Sequence, residues 1–326
     1  PADPATAGNA NNEYVDFGSS RDLLFDEFEI LVGAADFTDT FEFSNTGNVD
    51  FDAVESLAGG GGVTTDTLIS DFSRPNNYTI NNVGSGTQAN ADGFPAYLTV
   101  GFTGIEDLFG GQLTDTFTFG NLGSLLGTID GDEGLDQITG DNNGNVINIT
   151  GSDIGEFFES NGIDQKLAGF LNVENIAGGN GVDVITLEDG SNLGGNVDGA
   201  GSNDTFVFEG TGTIDGDIIG GTGSDTILGN PTGQNIFRID GQQDATAVEP
   251  GSGVFLGRSR FFLEVENLTG GDQNDQFVFQ SDGTTTGLLT GNIDGGGNAT
   301  PTTGDTLFGD DSDSEFVVRT QNAGNL

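Results

Sequence analysis

Short runs that alternate apolar and polar residues recur along this chain: TFEF at 40–43, TFTF at 116–119, TFVF at 205–208 and QFVF at 276–279. A period of two marks a half-buried strand, so Phe41 and Phe43, Phe117 and Phe119, Phe206 and Phe208, and Phe277 and Phe279 are each predicted to share one inward strand face. The helical stretches that a βαβ arrangement needs between strands are missing. Only 156–171 and 20–31 have helix-like spacing, and either is a candidate for a short helix covering an end of the array.

The strands belong to repeats. A Phe–Glu motif of the form F-x-x-(V/I/F)-E-x-(L/I) begins at residues 25, 51, 102, 170 and 262, with spacings of 26, 51, 68 and 92. Four copies run into a glycine pair and then an aspartate that opens an alternating segment, at Asp66, Asp115, Asp183 and Asp275, and the first copy reaches the same ending at Asp39. Between copies the turn and its aspartate recur at Asp136, Asp204 and Asp225, with a stretched version at Asp305. Asp183, Asp204 and Asp225 follow one another at intervals of 21, as do Asp115 and Asp136. The expected fold is therefore all-β: a right-handed parallel β-solenoid with rungs of about 21 residues and a rod about 70 Å long. Residues 25–326 are read as one continuous solenoid and 1–24 as an N-terminal linker or cap. The closing VVRTQNAGNL stops in mid-pattern, and Pro1 is not a translation start, so the chain is expected to be a processed product or part of something longer.

Two turns carry a resemblance. GGNGVDVIT at 178–186 and GGTGSDTIL at 220–228 resemble the nonapeptide G-G-x-G-x-D-x-U-x of RTX proteins. FTGIEDLFGG and FLEVENLTGG, with GTIDG or GNIDG further on, are similar to the giant haemagglutinin-like adhesins of bacterial surfaces. The resemblance implies calcium-binding glycine turns on a parallel β-roll, displayed outside the cell. The chain departs from RTX in carrying single turns at the wide aspartate interval instead of contiguous nonapeptides.

Composition narrows the chemistry. The 326 residues include 52 Asp and Glu against 7 Lys and Arg, for a net charge of -45, which repels nucleic acid and anionic membrane. Cysteine, histidine, methionine and tryptophan are absent, which removes disulfides, imidazole chemistry and the usual zinc ligands. No run of 18 apolar residues is available for membrane insertion. Stacked strands about 4.8 Å apart would align the turn aspartates in a column of like charge, and Ca²⁺ between carboxylates, with glycine carbonyls as further ligands, would neutralise it. The expected ligands are Asp183, Asp204, Asp225, Asp115, Asp136 and Asp275, followed by Asp66, Asp305 and Asp39. A second series, Asp130, Asp198, Asp215 and Asp294, precedes glycine in (T/N)-(I/V)-D-G and either completes these sites or forms ordinary Asp-Gly turns.

These features predict a secreted, extracellular, calcium-stabilised structural or adhesive segment of a bacterial surface. Its expected partners are adjacent repeats or other copies of itself end to end, with surface glycans as a further partner. The alternatives are a subunit of a self-assembling filament, sheath or surface layer, and a β-helical enzyme acting on polysaccharides. The last would need a basic catalytic group, and the candidates are only Lys166 and the pair Arg258 and Arg260. A single lysine also leaves almost no room for Lys–Asn isopeptide cross-links.

Overall fold

The computed structural model describes residues 13–16, 22–25, 30–34, 37–43, 54–60, 65–70, 73–91, 98–240, 251–281, 287–297 and 304–310. Among them there is no helix. The chain forms two long sheets of 12 and 15 strands, in which most neighbouring pairs are parallel. A separate antiparallel pair, Glu13–Asp16 with Asp22–Phe25, precedes them. Segments 20–31 and 156–171 correct the helical expectation. Asp22–Phe25 and Ile30–Val32 are strands, and the second segment divides into Gly155–Glu159 and Gln165–Leu171. In EFFESNGIDQKLAGFL the turn residues 160–164 split the apolar positions into two strands, and pairing between those strands overrides the helical spacing.

The chain passes from one sheet to the other with nearly every strand. Asp107–Gly111 lies in the 12-stranded sheet, Thr116–Phe119 in the 15-stranded sheet, Leu125–Asp132 back in the first and Gln137–Thr139 in the second. Parallel neighbours in one sheet are in register at Leu108 with Ile129, Phe117 with Ile138, Ile185 with Phe206, and Phe206 with Ile227. Each of those offsets equals the aspartate interval. A two-stranded parallel patch, Asn192–Leu193 with Thr213–Ile214, covers part of a third side and buries Leu193 and Ile214.

Three antiparallel meanders interrupt this pattern. They are Asn76–Asn82 with Ser85–Asn90 and Leu98–Thr103, Asn145–Ile149 with Gly155–Glu159 and Gln165–Leu171, and Ile236–Ile239 with Gly253–Phe255 and Phe262–Leu263. In each, the first strand takes a place two strands ahead in its sheet, the second folds back, and the third lies parallel on the strand left behind. The Phe–Glu motif supplies the exit. Its Phe lies on one sheet (Phe102 beside Leu57, Phe170 beside Ile129, Phe262 beside Ile218) and its last apolar residue on the other (Leu108, Ile176, Leu268). Ile105, Val173 and Val265 fill the corner between them and are fully buried.

The core is the single layer between the sheets, built from every second residue of each strand. Phe117, Phe119, Phe206, Phe208 and Phe277 are buried, while Phe41 and Phe279 are partly covered. Register stacks aromatic rings along a sheet: Tyr78 lies face to face with Phe117 at 5.1 Å, and Phe237 with Phe277 at 5.2 Å. Across the layer the rings meet edge to face, Phe119 with Phe157 and Phe208 with Phe255, both at 5.0 Å. Phe237 touches two rings, Phe255 and Phe277. Phe237→Ala should therefore lower stability by about 3–5 kcal/mol, measured as a shift in denaturant midpoint at unchanged slope.

Candidate functional site

The turn aspartates line up in four columns, held, except at the first link of the third, by one repeated hydrogen bond in which the backbone N–H of one member donates to a side-chain oxygen of the next. In the first column Asp39 N–H donates to Asp66 Oδ1 (2.8 Å), and Asp66 N–H to Glu106 Oε2 (2.8 Å). The second begins with Asn76 N–H donating to Asp115 Oδ1, then runs from Asp115 to Asp136 (2.7 Å) and from Asp136 to Glu174 (2.8 Å). In the third, Asn145 Nδ2 donates to Asp183 Oδ1 (2.8 Å), Asp183 N–H to Asp204 (2.8 Å), Asp204 N–H to Asp225 (2.7 Å), and Asp225 N–H to Glu266 Oε2 (2.8 Å). Asn235, Asp275 and Asp305 form the fourth, at 2.6 and 2.9 Å.

Every column position but the last, Asp305, lies two residues before an inward apolar residue: Asp136 before Ile138, Glu174 before Ile176, Asn145 before Ile147. Sequence reasoning placed the aspartates but missed the ends, where asparagine begins three columns and the glutamate of the Phe–Glu motif closes three. The signal was present, because nine residues separate Glu106 from Asp115, Glu174 from Asp183, and Glu266 from Asp275.

The glycines make room for these carboxylates. A Cβ on Gly178 would lie 2.2 Å from Asp183 Oδ2; on Gly199, 2.5 Å from Asp204 Oδ2; and on Gly110, 2.5 Å from Asp115 Oδ2. The first glycine of the pair is thus the hollow in which the aspartate five residues on is seated. Gly179, with φ of 122°, turns the chain after the hollow, and a Cβ on Gly181 would come within 2.0 Å of the Gly144 nitrogen in the adjacent turn.

Burial is complete or nearly so for Asp66, Asp115, Asp136, Asp183, Asp204, Asp225 and Asp275, whereas Asp39 and Asp305 are half-buried. Oδ2 of Asp275 accepts from Gly271 N–H (2.6 Å), and that of Asp39 from Ala34 N–H (2.7 Å). The Oδ2 atoms of Asp115, Asp136, Asp183, Asp204 and Asp225 are buried with no hydrogen-bond partner. The second aspartate series accounts for two of these. Asp130 Oδ1 accepts from Asp132 N–H (3.0 Å) and Asp198 Oδ1 from Ala200 N–H (2.8 Å), so the donors that would reach Asp136 and Asp204 are taken. Asp294 binds Gly296 N–H in the same way (3.0 Å), and Asp215 accepts only a longer bond from Asn192 Nδ2 (3.3 Å). Asp130, Asp198 and Asp294 follow the inward residues Ile129, Val197 and Ile293, so they face outward as turn formers, and the structure does not bring them into the columns.

What an unpartnered Oδ2 faces can be read from Asn145, which holds the same position. A Cβ on Gly140 would lie 2.6 Å from Asn145 Nδ2 and 2.2 Å from the Gly178 carbonyl, and that Nδ2 donates to that carbonyl at 2.9 Å. Asp204 Oδ2 and the Gly220 carbonyl surround Gly199 in the same manner, at 2.5 and 2.8 Å. An ionised carboxylate there sets acceptor against acceptor, whereas a protonated one can donate. Desolvation accordingly raises these groups from the ordinary 3.8, Asp115 to about 7, Asp136 to about 8, Asp183 to about 6, Asp204 to about 7 and Asp225 to about 6. Like charge along the columns adds to the rise, from Asp115 and Glu174 on Asp136 and from Asp183 and Asp225 on Asp204, while the accepted N–H bonds oppose it. Among the described residues no three acidic side chains converge as a ready-made metal cluster.

A comparison with models of known protein families finds none that matches the chain, and a comparison with curated proteins finds no match.

The five raised carboxyls hold protons more tightly folded than unfolded, so their contribution to stability is whole below about pH 4 and is lost as pH rises through about 6 to 8. In chelator, the melting temperature measured by calorimetry should fall across that window. Asp204→Asn places an amide donor opposite Gly220, and its melting temperature should fall less over the same range.

Proposed function

We propose that the two sheets close into a right-handed parallel β-solenoid whose rungs match the aspartate interval, and that this solenoid is a stiff structural or adhesive segment displayed outside a bacterial cell. The observation that carries the reading is the set of carboxylate columns, in which the backbone N–H of one aspartate donates to the carboxylate 21 residues on through one recurring bond. A stack in which each layer binds the next supplies length and rigidity without a large core. The RTX-like and adhesin-like motifs point the same way.

Calcium is the proposed stabilising ion. The columns suit it in kind, since hard carboxylate oxygens stand buried and unpartnered at Asp115, Asp136, Asp183, Asp204 and Asp225. They offer one oxygen each, because Oδ1 is already engaged, so glycine carbonyls would have to complete any coordination. Bound calcium would supply positive charge to a chain at -45 and relieve the repulsion along each column. Millimolar calcium outside the cell suits weak sites of this type, with dissociation constants of about 10⁻⁴ to 10⁻³ M.

End-to-end assembly is a second reading, favoured by one observation. Among the described residues Thr306–Phe308 ends the larger sheet, and its Leu307 and Phe308 are both 44% exposed. A terminal strand with exposed apolar side chains is a surface on which a further copy or repeat can stack. The enzymatic alternative gains nothing from the basic residues: Arg258 donates to the carbonyls of Gly210 and Gly212, and Arg260 pairs with Asp217 at 3.2 Å.

Melting of the full chain in millimolar calcium and in EDTA at pH 7.5 tests the calcium reading. Calcium at about 100 times its dissociation constant should add about 2.7 kcal/mol per independent site. Asp204→Asn should lower stability in calcium while leaving it unchanged or raised in EDTA. Equal melting of the parent protein in the two buffers would remove calcium from the account and leave the proton as the occupant of the columns.

A further inference from the structure

Lys166 is the only lysine in the chain, and its side chain is wholly out of water. It lies on Gln165–Leu171, the third strand of the second meander. Its Nζ stands 2.7 Å from Asp141 Oδ2 and 2.9 Å from Glu159 Oε1. Asp141 sits in the turn that enters the meander, and its side chain is also 0% exposed; Glu159 ends Gly155–Glu159 and is 34% exposed. From its other side the Asp141 carboxyl is held by Asn143, whose backbone N–H donates to Oδ1 at 2.9 Å and whose Nδ2 donates to Oδ2 at 3.4 Å.

An ion pair is a costly way to join two strands in a dry interior, because both charges lose their hydration. The arrangement contains more than an ion pair needs. A primary amine is pressed against a carboxyl group, a second carboxylate touches the amine and reaches solvent, and an N–H donor is aimed at the carboxyl oxygen that would carry charge during addition. These are the parts of an acyl transfer: nucleophile, electrophile, proton carrier and oxyanion donor.

We infer that Lys166 and Asp141 condense into an intramolecular isopeptide bond, with Glu159 carrying the protons. Glu159 relays a first proton from the ammonium to Asp141 Oδ2, which lies 2.7 Å from Nζ, and the freed Nζ lone pair adds to Cγ of the carboxyl group so formed. Asn143 N–H stabilises the oxygen on which negative charge develops. The second proton leaves nitrogen by way of Glu159 for the departing hydroxyl. One N–C bond forms, one C–O bond breaks, and one water leaves past the partly exposed Glu159. No electron changes hands and no co-reactant is consumed. The neutral amide replaces two buried charges, and holding the partners in contact from folding onward supplies the proximity the reaction needs. The bond would close a covalent loop from 141 to 166 around the second meander, where antiparallel strands interrupt the parallel stacking. The partner that the structure presents to the single lysine is an aspartate, in place of the asparagine weighed from sequence.

The inference is independent of the proposed calcium role and is tested by mass spectrometry of the intact full chain and its proteolytic peptides. The expected mass is about 18 Da below that of the sequence, one water lost in acyl transfer from carboxyl to amine. Peptides containing Asp141 and Lys166 should be recovered joined, with no tryptic cleavage after Lys166. A succinimide at an Asp-Gly pair also loses a water but joins no peptides, so it would not count in favour. Glu159→Gln should restore the full mass and free Lys166 while leaving the circular dichroism spectrum of the fold unchanged. Recovery of Lys166 from the unfolded parent protein as a free, amine-reactive side chain would overturn the bond, and a joined peptide in Glu159→Gln would overturn the role of Glu159.

Discussion

The backbone N–H of each inner column aspartate ends on the carboxylate of its neighbour, and the turns are shaped around that one bond. Asp136 reaches Asp115 N–H, Asp204 reaches Asp183 N–H, and Asp225 reaches Asp204 N–H, all at 2.7 to 2.8 Å. A side chain bent inward to accept that bond must lie against the turn preceding its own strand. Gly110, Gly178 and Gly199 leave the space, and any larger residue there would meet Oδ2 at 2.2 to 2.5 Å. Glycine and aspartate are therefore two halves of one device, which is why they recur together five residues apart.

That device places negative charge in a dry column, and the chain manages it at the ends. Asn76, Asn145 and Asn235 stand where a column begins, and the amide of Asn145 satisfies the carbonyl that a charged neighbour would repel. Glu106, Glu174 and Glu266 stand where a column finishes, and all three are half-buried, so the last carboxylate is partly returned to water. Between the ends lie the five unpartnered oxygens, which need either a proton or a cation.

The meanders explain why four columns exist instead of one. The first and third columns precede strands of the 12-stranded sheet, and the second and fourth precede strands of the 15-stranded sheet. Each meander starts a new column on the opposite side, and the Phe–Glu motif that leaves it closes the old one. The uneven motif spacings of 68 and 92 follow, since both contain a meander of nearly constant length and they differ chiefly in holding one or two steps of the aspartate interval.

Much of this was legible in the chain itself. Period-two alternation located the strands at 116–119 and 205–208 with their inward Phe pairs, because a strand exposes alternate residues to opposite environments whatever it packs against. The recurrence of aspartate at a fixed interval located the inner columns, because a regular offset in register must repeat in sequence. The helix-like spacing of 156–171 misled, since apolar residues two and three apart fit either a helix or a folded pair of strands until a partner strand is known. The identity of Asn145 and Glu174 as column members was hidden for a related reason. Neither shares a residue type with Asp183; the constant nine-residue step to the next aspartate marks Glu174, whereas only the register of Ile147 with Ile185 shows that Asn145 holds an equivalent place. The meeting of Lys166 with Asp141 and Glu159 could be decided only in three dimensions, because the antiparallel return of the second meander brings together residues that no period in the sequence relates.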